Sequence, residues 1–182
     1  MKEISYSETV LTELMIPSYA NFGGKVHGGI LLSLMDKVAY VTASKHCNGY
    51  CVTVAVEGVE FLHPIEVGEL VSLKASVNYV GNTTMIIGIR VEALNPKTGN
   101  VNHANSCYFT MAAKDDLGNL KVVPGLILRN REHVRRFYEG KFIKEFSKEK
   151  RDLLKADFDN VDFSELINVC TSQKCEIILV EE

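Results

Sequence analysis

From residue 28 to about residue 46 the chain carries the feature that most constrains its fold, a helical run that is apolar nearly all round. Ile30, Leu31, Leu32, Leu34, Met35, Val38, Ala39 and Val41 leave it no clean polar face. A helix with one apolar stripe can lie on a surface, but one with this profile has to be enclosed on most sides. Gly49, just past the last periodic residue, reads as its stop.

Beyond the helix the chain is almost entirely strand-like as far as residue 124. "CVTVAVEGVEFL" (51–62) is β-branched and apolar on both sides, which predicts a central strand covered on both faces. "VSLKASVNYV" alternates, with Val71, Leu73, Ala75, Val77 and Tyr79 on one face and Ser72, Lys74, Ser76 and Asn78 on the other. "MIIGIRVEAL" and "VNHANSCYFTMAA" continue in that style around the turn "NPKTGN"; "DDLGN" is a further turn, and "LKVVP" reads as a short closing strand. Ahead of the helix, residues 4–15 read as a first, edge strand that Pro17 ends, with a glycine-bearing loop over 18–25 after it. The order of elements predicts an α+β fold in which a curved antiparallel sheet wraps one long helix.

At Arg129 the composition changes to dense charge of both signs. Val134, Tyr138, Phe142 and Phe146 make an i, i+4 ladder there, interrupted in propensity by Gly140, and "CEIILV" near the end could add a strand. The organisation is therefore residues 1–128 as the main domain and 129–182 as a charged, mainly helical extension. A mixed-charge amphipathic helix is ordinarily a solvated element docked on its own protein or a sister subunit.

Bulk properties exclude several classes of function. A formal charge of -3 over 182 residues gives no general attraction to nucleic acid or anionic lipid. No stretch has the length of a bilayer-spanning helix, and the N-terminal segment lacks the apolar core of a secretory signal, so a cytoplasmic location without membrane attachment is expected. Five cysteines, an odd number, do not suggest a disulfide framework. His46, Cys47, Cys51 and His63 are metal-ligand types, but Cys47 and Cys51 fall across a helix-to-strand junction and no CxxC pair exists. No metal is expected, and the thiols read as packed or idle.

The chemistry that could be present centres on "NFGGKVHGGILLSLMDKVAY". There is no GxSxG elbow and no phosphate loop, and the glycine-rich loop does not follow a strand in a βαβ unit. Glycines at a helix entry allow close approach of a ligand, and the first turn offers unpaired N–H groups at the positive end of the dipole. Aimed at a carbonyl, the Gly28 and Gly29 amides would stabilise an oxyanion. Asp36 lies on the row Gly29–Ser33–Asp36–Tyr40, where a carboxylate could activate water or attack directly, and Asn21 could orient that water. On periodicity alone the stripe Ser33, Asp36, Lys37 and Tyr40 reads rather as the solvent face, since most helical aspartates are surface residues. A lone loop His27 is more often a hydrogen-bonding or packing residue than a catalyst.

Several separated motifs, in order, resolve this ambiguity. The Asn–glycine loop, the "HGG" helix start, the "LMD" acid, the "VTVAV" strand, the "F-x-x-P-I-x-x-G-E" turn and the "GNTTM" hairpin resemble the hotdog-fold acyl-CoA thioesterases. The similarity spans roughly residues 11–124 and is greatest to the cytosolic long-chain acyl-CoA hydrolase and its short bacterial relatives. The resemblance implies a hotdog fold, hydrolysis of fatty acyl-CoA to free acid and CoA, and no metal or organic cofactor. It assigns the catalytic carboxylate to Asp36 and its companion to Asn21, with Gly29 at the oxyanion position. It places His27, Gly28, Thr53 of "VTVAV", and Gly81, Asn82, Thr83 and Thr84 of the hairpin at the substrate; the family more often has a basic residue where Asn82 sits. It also implies a homodimer in which the Asn loop of one chain faces the acid of the other, such dimers assembling further as trimers of dimers. The alternatives are a hotdog 3-hydroxyacyl or enoyl thioester hydratase-dehydratase using His27, and a non-catalytic acyl-CoA sensor.

Overall fold

A computed structural model of the chain describes residues 1–158 and 161–178. Its strands are β1 (Lys2–Glu3), β2 (Thr9–Leu14), β3 (Tyr50–Phe61), β4 (Leu70–Val80), β5 (Thr84–Leu94), β6 (Val101–Lys114) and β7 (Leu126–Ile127). Its helices are α1 (Gly28–Cys47), α2 (Arg131–Phe158) and α3 (Phe163–Thr171). Five strands form one antiparallel sheet in the order β2-β4-β5-β6-β3, and β1 pairs with β7 in parallel as a separate two-stranded ribbon.

The enclosure that the helix demands is provided by this sheet, every strand of which packs against α1. Leu31, Met35, Val38, Ala39 and Ala43 of the helix meet Val71, Leu73 and Val77 of β4, Ile87, Ile89 and Val91 of β5, and Cys107, Phe109 and Met111 of β6 in one buried core. Thr42, fully buried, satisfies its hydroxyl by donating to the Val38 carbonyl one turn back at 2.8 Å. The α+β arrangement expected from the sequence is the one the chain adopts.

Several details differ from expectation. The helix stops at Asn48 rather than Gly49: Asn48 takes the left-handed conformation (φ 48°), which asparagine tolerates better than most residues, and its N–H bonds the Ser44 carbonyl. Segment 51–62 is not central. It forms β3, an edge strand hydrogen-bonded only to β6, with Val54, Val56, Phe61 and Leu62 all about half exposed. The first strand is shorter than expected, because residues Ile4–Tyr6 make a 3-10 turn before β2 begins. "LKVVP" is irregular, and the final strand pairing falls beyond Pro124, whose missing N–H cannot serve a ladder, at Leu126–Ile127. Of the expected C-terminal strand, residues 175–178 are not extended into a sheet, and the rest lies outside the described residues.

The chain divides into two compact units, Met1–Lys144 and Glu145–Glu182, so the first turns of α2 belong with the sheet. Within the first unit, α2 docks on the sheet face opposite α1 through Phe137, Gly140 and Lys144. The Phe137 ring lies 5.0 Å from that of Tyr79, and Tyr108 donates to Glu139 at 2.6 Å. A Cβ on Gly140 would stand 2.8 Å from the Tyr79 Cβ, so glycine at this position permits the close approach of helix and strand. The apolar ladder Val134, Tyr138, Phe142 and Phe146 is on the exposed side of α2 instead. The second unit comprises the rest of α2 and the amphipathic α3, capped by the Asp162 carboxylate accepting from Ser164 N–H. Among the described residues no helix is long and apolar enough to cross a membrane.

Candidate active site

Asp36 sits in the middle of α1 on the exposed side of the helix. Its Oδ1 accepts a hydrogen bond from the Thr53 hydroxyl at 2.6 Å. Local sequence explains how β3 delivers that hydroxyl. Thr53 pairs with the fully buried Met111 of β6, so it points to the α1 face of the sheet, and its Oγ1 lies 3.4 Å from the Met111 sulfur. The ladder then slips between Thr53 and Ala55, a β-bulge that bends the edge strand just after the threonine. The two side chains line a cavity of about 420 Å³ with Lys37, Tyr40, Val41, Tyr50, Cys51 and Val52. Tyr40 and Tyr50 meet edge to face at 6.2 Å and give it an aromatic wall.

Asn21 heads the glycine loop. Its side-chain oxygen accepts from the N–H groups of Gly23 (2.8 Å) and Lys25 (3.2 Å), which closes a tight turn with Gly24 at φ 77°. The turn carries the fully exposed Phe22 at its tip, and Lys25 is ion-paired with Glu66. His27 is the N-cap of α1: its Nδ1 accepts from Gly29 N–H at 2.9 Å. The Gly29 amide expected to face a thioester oxygen is therefore engaged by the cap in this structure. The Phe61 ring covers Gly28, 3.2 Å from where a Cβ would stand.

The hairpin residues Gly81, Asn82, Thr83 and Thr84 close β4 onto β5, with Gly81 N–H bonding the Thr84 carbonyl at 2.8 Å. They lie at the Thr53 end of the sheet: Thr53, Met111 and Met85 are successive partners across β3, β6 and β5. With strands ~4.8 Å apart, the hairpin stands about 10 Å from Thr53 across the sheet. Lys144 of α2 donates to Thr84 Oγ1 at 3.1 Å and lies over the Tyr79 ring. This cation beside the hairpin was not legible in the sequence, because Lys144 lies beyond the matching motifs and is brought in only by the docking of α2.

Thus Asp36, Thr53 and the hairpin share one end of the sheet, whereas Asn21, His27, Gly28 and Gly29 gather near Phe61 at the other end of β3. Seven residues of helix separate Gly29 from Asp36, about 10 Å of axial rise. A larger cavity of about 520 Å³ opens on the opposite face of the sheet under α2. Two of its acidic groups are already matched: Glu132 is paired with Arg135 and Arg136, and Glu139 with Arg135 and the Tyr108 hydroxyl. That leaves the smaller cavity, with its carboxylate–hydroxyl pair, as the better-equipped site. Among the described residues no cluster of three or more His, Cys, Asp or Glu side chains could hold a metal ion.

Comparison with known proteins decides the family. The family model of the thioesterase superfamily matches residues 23–100. Protein VdlD of Helicobacter pylori is 43% identical over 134 residues, covering 74% of this chain and 76% of that one. The acyl-CoA thioester hydrolase YkhA of Bacillus subtilis, itself uncharacterised, is 30% identical over 128 residues, covering 70% and 74%.

The chain belongs to the hotdog-fold acyl-CoA thioesterase family.

By its family the protein is an acyl-CoA hydrolase. A solved hexameric acyl-CoA thioesterase superposes with a TM-score of 0.80 at 31% identity, over 82% of this chain and 96% of that one. The acyl-CoA hydrolase of Staphylococcus aureus, solved with butyryl coenzyme A and coenzyme A, gives 0.80 at 26% identity over 87% and 96%. Further structures of that enzyme carry alanine in place of one asparagine, one threonine or one aspartate.

Proposed function

We propose that the protein hydrolyses fatty acyl-CoA thioesters in the cytoplasm, at a site that two copies of the chain build together. Asp36 and Thr53 come from one copy and Asn21 with the α1 entrance from the other. The observation that carries this reading is the 2.6 Å hydrogen bond to Asp36 from Thr53, which stands on the edge strand β3. The asparagine, aspartate and threonine substituted in the S. aureus hydrolase stand at the same chain intervals as Asn21, Asp36 and Thr53 here, which supports the same trio.

Edge-strand geometry supports the sharing. A long edge strand with exposed Val54, Val56 and Phe61 invites pairing with another chain. If two copies of β3 pair antiparallel about a two-fold axis, the Phe61 end of each meets the Tyr50 end of its partner. That operation carries Asn21 and Gly29 of one copy toward Asp36 and Thr53 of the other, producing two equivalent sites. It also offers cover for Phe22. Assembly of such dimers into a hexamer, as in the hexameric relative, is part of the same proposal.

In this site Thr53 holds one carboxylate oxygen and leaves the other free to take a proton from water or to attack the thioester carbon itself. Asn21 of the neighbouring copy orients the water or the carbonyl. The thioester oxygen would displace the His27 ring from the Gly29 amide and take its place at the helix N-terminus. Lys144 beside the hairpin supplies a positive charge for a CoA phosphate.

The test is hydrolysis of CoA esters of graded chain length by wild type and Asp36→Asn. Wild type should release CoA, and the variant should lose turnover while still binding CoA. An Asp36→Asn protein that turns over normally would overturn the assignment. Transfer of ¹⁸O from labelled water into the protein in a single turnover would indicate attack by the carboxylate rather than by water.

A further inference from the structure

Hydrolysis makes no use of two thiols at the junction of α1 and β3. Cys47 is the last residue of α1, Cys51 is the second residue of β3, and the Asn48–Gly49 turn folds one back onto the other. Their sulfurs are 3.1 Å apart, and both side chains are almost wholly buried, at 3% and 2% exposure. A disulfide needs ~2.05 Å, so about 1 Å of movement separates contact from a bond. Cys51 also lines the cavity that holds Asp36 and Thr53.

We propose that Cys47 and Cys51 are a peroxide-sensitive dithiol that closes to a reversible disulfide and thereby reports redox state to the neighbouring carboxylate site.

The two sulfurs are suited to different steps. Cys47 is acidified because Cys51 hydrogen-bonds to it, with the positive charge of Lys121 and the Gly49 backbone adding to the effect against burial. Cys51 is pushed up by the same hydrogen bond and by burial, so it holds its proton. The Cys47 thiolate attacks one peroxide oxygen and the O–O bond breaks, giving a sulfenic acid and, after protonation, one water. The Cys51 sulfur then attacks the Cys47 sulfur and expels the hydroxyl as a second water. Two thiols and one hydrogen peroxide become a disulfide and two waters, with sulfur oxidised and peroxide reduced. A dithiol reductant reverses the step by exchange.

The remaining cysteines are placed differently. Burial pushes the Cys107 thiol up to about 12, and its sulfur faces the Met35 sulfur at 3.5 Å, while Cys170 and Cys175 are exposed in the C-terminal unit. Closing the Cys47–Cys51 bridge draws the start of β3 toward α1. Thr53 is two residues further along, ahead of the bulge, so the bridge alters the geometry of its bond to Asp36 and lowers turnover. That consequence rests on the thioesterase reading; formation of the bridge does not.

The experiment treats the full-length protein with hydrogen peroxide, alkylates free thiols, and reads the tryptic peptide 46–74, which contains both cysteines. The expected peptide is two hydrogens lighter and unalkylated, and returns to the doubly alkylated form after dithiothreitol. Turnover, monitored by thioester absorbance, should be lost and regained in parallel. Cys47→Ser should keep its activity at a peroxide dose that silences wild type, and Cys51→Ala should yield no lighter peptide. A peptide alkylated at both cysteines after peroxide, or one carrying sulfinic acid instead, would overturn the proposal. A bridge that forms and leaves turnover unchanged would refute the coupling to Asp36. If the untreated protein hydrolyses no thioester, the peptide mass still decides the bridge by itself.

Discussion

Replacing Thr53 with valine removes one hydroxyl and keeps the shape and β propensity of the side chain. The lost interaction is the 2.6 Å bond to Asp36 Oδ1. A hydrogen bond to a charged acceptor contributes about 1.5–3 kcal/mol, with the upper end reached where solvent is excluded. In the isolated chain both residues are exposed, so little of that amount supports folding, and the thermal midpoint should hardly move. In the proposed shared site the bond would orient the carboxylate. At ~1.4 kcal/mol per decade, its loss should lower kcat about 10- to 100-fold. KM should stay close to wild type, because Thr53 holds the carboxylate rather than the substrate. Thr53→Ser, which restores the hydroxyl, should recover most of the rate. The assay is steady-state loss of thioester absorbance on one CoA ester, with thermal unfolding of each variant alongside. A Thr53→Val enzyme with kcat within about twofold of wild type, or a defect confined to KM, would refute the role given to this bond.

Two further outcomes test the packing around the site. Gly140→Ala should raise helix propensity by ~1 kcal/mol, yet its Cβ would stand 2.8 Å from the Tyr79 Cβ and 3.3 Å from the Tyr79 nitrogen, neither of which can yield easily. Overpacking of that kind costs about 1–3 kcal/mol, so the thermal midpoint should fall; a rise would mean α2 is not docked on β4. His46 is fully buried, with Nε2 on the Pro124 carbonyl at 2.8 Å and no partner at Nδ1 among the described residues. Burial lowers its pKa, only partly offset by that carbonyl. Below about pH 6.5 the unfolded chain therefore binds a proton the folded chain refuses, and stability drops as pH falls, by at most ~1.4 kcal/mol per pH unit. His46→Gln should flatten the change in thermal midpoint between about pH 7.5 and about pH 5.5, and an unchanged slope would show that another group is responsible.

The parts of this structure that were legible in the sequence are those set by burial within one chain. Ile30 to Val41 demanded an enclosing sheet, and the alternation from Val71 to Val77 identified which face of β4 meets the helix, whereas Tyr79, expected on that face, is turned to α2 by the bulge after Val77. The failures come from contacts that lie outside the local pattern. Segment 51–62 has apolar residues on both sides, which in this chain lie on an edge strand and stay about half exposed, so its pattern does not reveal whether its own strands cover it. Gly140 reads as a weak point in a helix until Tyr79 is seen against it, and the Val134–Tyr138 ladder reads as a docking face although the helix docks on the Phe137 side. Asp36 lies on a stripe with Ser33, Lys37 and Tyr40 that is exposed, as periodicity allowed. Only the ordered motifs singled it out, and the Thr53 bond gives that choice a physical partner. The contact of Cys47 with Cys51 was invisible for a simpler reason: it depends on the left-handed Asn48 turn, which spacing alone does not reveal.

The central claim, a site shared between two copies, is tested most directly by subunit complementation. Asp36→Asn and Asn21→Ala chains should each assemble into inactive oligomers. In a purified hybrid dimer one site carries both substitutions and the other carries neither, so turnover should return to about half that of the wild-type dimer. A hybrid as inactive as its parents would place Asn21 and Asp36 in the same chain's site and contradict the account.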